Sequence, residues 1–183
     1  QEWTEGCTLG DMVGLATALS DAGLGDYWDD VEACVRNHMI EQQIIDLDRI
    51  RKTFNIPADS EGDNLLKRFV GGVAGSGPTC LQPTAHFMGC CICNTTNALY
   101  YAWHGITRID NGVATVNLFL NRASAWMDID SYLPYEGKVV LHNKQAHTAL
   151  VRIPGWLTGR DIECRINDED VSPPLAGRYL VFT

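Results

Sequence analysis

The sequence predicts an α+β chain, helical to about residue 105 and built of short antiparallel strands from residue 106 onward. Two observations carry this. Apolar residues recur at steps of three and four up to Gly105 and at steps of two beyond it. Turn pairs at Asn111-Gly112, Glu136-Gly137 and Pro154-Gly155 then divide the second part into strand-sized pieces, the pattern of a β-sandwich. Two units are expected, residues 1–105 and 106–183.

In the first unit, Thr8 followed by Asp11 resembles a capping box, and Leu9, Met12, Val13, Ala16 and Leu19 follow at helical spacing until Gly23. Asp26 opens a second helix with Tyr27, Val31, Cys34, Val35, His38 and Ile45 on its apolar face. Residues 46–54 read as its continuation or as a short third helix, and 57–63 as a polar loop. Residues 71–89 are rich in Gly, Pro, Ser and Thr. A loop of that length in a compact domain is more often functional than idle. Residues 94–103 form a helix closed by Gly105, with Ala98, Leu99, Tyr101 and Ala102 facing inward.

In the second unit the alternating sets are Val116, Leu118 and Leu120, then Met127 and Ile129 against Trp126 and Asp128. Ala149, Val151 and Ile153 follow, then Ile162, Cys164 and Ile166. Residues 179–183 read as a strand that the chain does not complete.

Composition excludes some functions. With 23 acidic and 14 basic residues the net charge is −9, and no basic run interleaves with aromatics, so nucleic acid and anionic membranes are poor partners. No apolar run approaches the ~20 residues of a membrane span. The chain opens on Gln1-Glu2-Trp3, with neither Met nor a signal sequence, which is expected of a segment from a longer protein. Seven cysteines, two of them adjacent, fit metal or thiolate chemistry better than a disulfide framework. Reduced thiols fit the cytoplasm, although the compartment stays open.

Glu5-Gly6-Cys7 stands at the mouth of the first helix and Cys90-Cys91 at the mouth of a later one. Together they form a three-sulfur, one-oxygen set that suits zinc, a four-coordinate and borderline-soft ion. Helix-start amides favour thiolate at both places. The alternative is that Cys7, Cys90 and Cys91 are small buried residues and nothing more.

Thr4-Glu5-Gly6-Cys7, Gly89-Cys90-Cys91 and Arg152-Ile153-Pro154-Gly155-Trp156 occur in the order found in glycoside hydrolase family 127, and over nearly its whole length the chain resembles that β-L-arabinofuranosidase-like family. The resemblance implies the C-terminal part of an (α/α)6 barrel followed by an incomplete antiparallel β-sandwich. It also implies a retaining glycosidase acting on terminal L-arabinofuranose or a similar sugar, with zinc held by Glu5, Cys7, Cys90 and Cys91 and with Cys90 as nucleophile. Zinc-bound thiolate is deprotonated at neutral pH and can do the work of the usual carboxylate.

The chain departs from the family where Ile92-Cys93 replaces the usual proline after Cys-Cys, making Cys93 a competing ligand. The family's acid/base glutamate and sugar-lining histidines lie upstream of the Glu5 element, and Glu2 is too close to be the former. The 183 residues alone are therefore expected to be inactive.

His86, four residues before Cys90, is a candidate sugar contact. Cys34 and Cys164 read as core, Cys80 is unassigned, His38 is a core-edge histidine, and His142 and His147 are surface residues. Trp103 and Trp156 read as packing residues, and Trp126 as packing or a sugar platform. The alternative from another class is a non-catalytic structural or carbohydrate-binding module with a structural zinc.

Overall fold

The computed structural model describes residues 3–73, 75–78, 89–157 and 162–183. The architecture is α+β, in two compact units, Gln1–Ala102 and Trp103–Thr183. The division falls inside the last helix of the first unit, slightly before the expected break at 105.

The first unit opens with β1 (Trp3–Glu5), which runs directly into α1 (Gly6–Asp21). β1 pairs antiparallel with β2 (Ser76–Pro78) in the register Glu5↔Ser76 and Trp3↔Pro78. The Gly6 amide donates to the Gly75 carbonyl at 2.9 Å. A helix start needs partners for its leading amides, and here a neighbouring backbone supplies one. Thr8 therefore lies inside the helix and the expected capping box does not form; Glu5 holds the cap position without a side-chain bond. Leu9, Val13 and Ala16 are buried as expected, but Met12 is exposed and Gly6, Gly10 and Thr17 take part of the inner stripe.

α2 (Trp28–Ala33) buries Trp28 and Val31, while Tyr27 lies outside. The helix then widens into a π-helical stretch, Cys34–Met39. The wider turn shifts the inward face, so that Val35 and Met39 are buried and Cys34 is only half-buried. α3 (Leu47–Phe54) is a separate helix, capped by Asp46 Oδ1 accepting from the Arg49 amide at 3.0 Å. The expected loop at 57–63 instead gives way to α4 (Glu61–Arg68), capped by Ser60. Ile44, Ile50 and Leu66 form a small core beneath α3 and α4, joined by Leu47, Ile56 and Phe69.

α5 (Gly89–Gly105) begins earlier than residue 94, which puts all three neighbouring cysteines on it. Its buried stripe is Cys91, Thr95, Ala98 and Ala102, at steps of four, three and four. Leu99 and Tyr101, expected inside, are exposed. The stripe is small because α1 lies close: a Cβ on Gly10 would meet Asn94 Cγ and the Asn94 carbonyl oxygen at 2.8 Å each.

In the second unit β3 (Thr107–Asp110) and β4 (Val113–Val116) form a hairpin through Asn111 and Gly112, both at positive φ (48° and 79°). That is the two-residue turn favoured by Asn-Gly. β5 (Met127–Ser131) and β6 (Val139–Asn143) make a separate antiparallel hairpin, after which β7 (Thr148–Arg152) returns beside β4. β8 (Cys164–Ile166) and β9 (Glu169–Val171) form another hairpin, and β10 (Leu175–Ala176) and β11 (Tyr179–Phe182) complete the main sheet. Its order is β10-β11-β7-β4-β3. The sheet is mixed and not purely antiparallel: β4 and β7 run parallel, because the excursion through β5 and β6 brings the chain back in its original direction. Ala114, Val116, Leu118, Met127, Ile129 and Val151 are buried, following the alternation.

Cys164 is half-buried and Ile166 exposed; among the described residues β8 pairs only with β9, in a two-stranded ribbon. Trp103 and Trp156, expected to be packed, are 47% and 57% exposed. Within the Arg152–Trp156 run it is Arg152 and Pro154 that are buried. Among the described residues no helix is long and apolar enough to cross a membrane.

Candidate metal centre

Two helix starts build the site. β1 delivers Glu5 at the lip of α1 and Cys7 in its first turn, while Cys90 and Cys91 occupy the first turn of α5. Three side-chain bonds join the two starts. Asn94 Nδ2 donates to the Cys7 carbonyl and to Asp11 Oδ1, both at 3.0 Å, and Thr95 Oγ1 donates to the Gly6 carbonyl at 3.1 Å. With the Gly10 contact, these bonds fix the register of α5 on α1.

The ligand atoms of Glu5, Cys7, Cys90 and Cys91 all lie within 4.8 Å of one another. Cys91 Sγ is central, 3.5 Å from Cys7 Sγ, 3.9 Å from Cys90 Sγ and 3.5 Å from Glu5 Oε1. A tetrahedral ion with metal–sulfur bonds of about 2.3 Å has S···S edges of about 3.8 Å and S···O edges of about 3.6 Å. Three of the six edges thus lie within about 0.3 Å of that geometry, and the set could close on a metal ion with shifts of about 1 Å. Cys93 is exposed and outside the set, since two further helical residues turn it about 200° away from Cys91.

The surroundings of the side chains themselves raise two of the thiols, against the thiolate expected at the helix starts. The Cys7 thiol is pushed up to about 12, first by its hydrogen bond with Cys91 and then by removal from water. Burial also raises Cys91, against the opposing effect of the Cys7 backbone amide, which donates to its sulfur. Three sulfurs and a carboxylate crowd together with no cation among the described side chains of the cluster. A divalent cation at the centre would supply that missing charge and favour thiolates.

Exposure divides the adjacent pair: Cys91 is fully buried and Cys90 is exposed. His86 lies outside the described residues, as does Cys80. His38 is half-buried and bonded through Nε2 to Gln42 Nε2 at 3.0 Å, and His142 and His147 are exposed. Sequence reasoning overlooked Gly10, Asn94 and Thr95, which hold the two helix starts together. The small-residue spacing Cys91, Thr95, Ala98 and Ala102 was the signal available for a close helix contact.

No known family model matches the chain, and no curated protein matches it.

Proposed function

We propose that the chain is part of a retaining glycoside hydrolase of the β-L-arabinofuranosidase-like kind, with its helical unit the end of an (α/α)6 barrel and its strand unit a β-sandwich. Zinc is the ion proposed for the Glu5, Cys7, Cys90 and Cys91 set, since three thiolates and one carboxylate match its softness and coordination number. When bound it would keep the sulfurs deprotonated at neutral pH.

The observation that carries this reading is the unequal exposure of the two adjacent sulfurs within one four-donor cluster. Cys91 is buried and suited to holding; Cys90 is exposed and suited to reaching a sugar. In the proposed reaction Cys90 Sγ attacks the anomeric carbon, a carbon–sulfur bond forms, and the glycosidic C–O bond breaks as the leaving oxygen gains a proton. Water then displaces the sulfur, giving net retention. By the resemblance, the proton donor is a glutamate upstream of Glu5, so turnover belongs to the longer protein.

The non-catalytic alternative gives the ion only a stapling role. Against it stand the Asn94 and Thr95 bonds and the Gly10 contact, which already join the helix starts through protein groups. The test is a mechanism-based arabinofuranoside inhibitor applied to the longer protein, followed by peptide mass spectrometry. The label is expected on Cys90. A label on Cys91, or an inverted product, overturns the assignment.

A further inference from the structure

A cleft of about 500 Å³ lies in the second unit, and its lining includes Trp103, Asn121, Arg122, Asp128, Asp130 and His142. That volume is within the range of small-molecule sites, roughly 300–1,000 Å³. None of these residues belongs to the metal centre, and the glycosidase reading leaves them without a task.

Their arrangement follows from the β5–β6 hairpin. Asp128 and Asp130 alternate on β5 and so share a face, and His142 on β6 sits opposite Asp128 in register. His142 Nε2 is 3.0 Å from Asp130 Oδ2, which leaves Asp130 Oδ1 and His142 Nδ1 to serve a ligand. Asn121 Oδ1 accepts from the Ser131 amide at 2.6 Å, fixing the carboxamide with its NH2 as donor. Arg122 lies 4.6 Å from the Trp103 ring centroid and its Nη1 donates to the carbonyls of Trp103, His104 and Thr107, so it braces the indole.

Charge narrows the ligand class. Asp128 is paired with Lys144 Nζ at 2.6 Å, Asp130 faces His142, and Arg122 Nη1 is bonded to three carbonyls. An anion would meet two carboxylates. A cation site needs converging donor atoms, and among the described residues only the Glu5 cluster provides them. What the cleft offers is a braced, half-exposed indole beside rigid planar acceptors and donors. Sugars are recognised by this combination: a C–H face on an aromatic ring, with paired hydroxyls on planar polar groups.

We propose that this cleft is a second saccharide site, taking one neutral pentose or hexose unit through Trp103, Asn121, Asp130 and His142. It stands independently of the metal centre and of the glycosidase reading.

The test is ligand-observed saturation-transfer NMR on the full chain with L-arabinose, D-galactose and D-glucose at millimolar concentration. At least one sugar is expected to bind. Asp130→Ala and His142→Ala, at exposed positions that leave the fold intact, should each weaken it about tenfold. Trp103→Ala should abolish binding, with folding checked by circular dichroism, and Cys90→Ala should not affect it. Three outcomes would overturn the proposal: no binding of any of the three sugars, binding indifferent to Asp130→Ala and His142→Ala, or binding lost in Cys90→Ala, which would move the sugar to the metal centre.

Discussion

The sulfurs of Cys7 and Cys91 lie 3.5 Å apart, although 84 residues separate them in the chain. Neither helix start makes this contact alone; it depends on α5 docking on α1 with Asn94 bonded to the Cys7 carbonyl.

Zinc content should track the four-donor set. The purified chain is expected to carry one zinc per molecule by elemental analysis, and Cys91→Ser should lose it, because an alcohol is a poor replacement for a thiolate. Cys93→Ser should keep full zinc. Stoichiometric zinc in Cys91→Ser would remove Cys91 from the ligands.

Gly10→Ala tests the docking beneath the site. Alanine favours a helix by about 1 kcal/mol over glycine, but the new methyl would stand 2.8 Å from the Asn94 carbonyl oxygen, a backbone atom that cannot rotate away. Overpacking should win, with a net loss of about 1–3 kcal/mol in denaturant unfolding and weaker zinc binding. A stabilised variant would mean that the helices can separate without loss.

Cys34 and Cys164 are half-buried, and burial raises both thiols. Serine at either position should cost only about 1 kcal/mol or less, below the cost at a fully buried site, with zinc content unchanged. Measured zinc loss in either variant would show that the ligand set is wrong.

Asp63 gives stability a pH dependence. Its carboxylate is buried and receives Lys67 Nζ at 2.9 Å, Arg51 Nε at 2.6 Å and the Asp59 amide at 2.9 Å. Lys67 first, then Arg51, hold it well below the usual carboxylate range. A depressed folded pKa means that the contribution is whole above the ordinary carboxyl value, about 4, and is lost as pH falls below it. The urea midpoint should therefore drop on acidification below about pH 4, and Asp63→Asn should lower the midpoint at neutral pH while flattening that drop. An equally steep acid loss in Asp63→Asn would assign it to other carboxylates.

The features legible along the chain are local ones. The period change near Gly105, the Asn111-Gly112 turn and the alternation of Met127 and Ile129 are set by neighbours a few residues apart, and so they are readable along the chain. Glu5, Cys7, Cys90 and Cys91 were also legible as a possible three-sulfur, one-oxygen set, because metal chemistry restricts which side chains can serve, and the structure brings the four together. Other features depend on long-range packing. Gly75 caps α1 in place of Thr8, and the close approach at Gly10 selects Thr95 and Ala98 over Leu99 and Tyr101 for the inner face of α5. The π-helical stretch turns Cys34 partly outward, and the route through β5 and β6 makes β7 parallel to β4. Each depends on a backbone distant in sequence, whose position follows from packing and not from the propensity of the residues concerned.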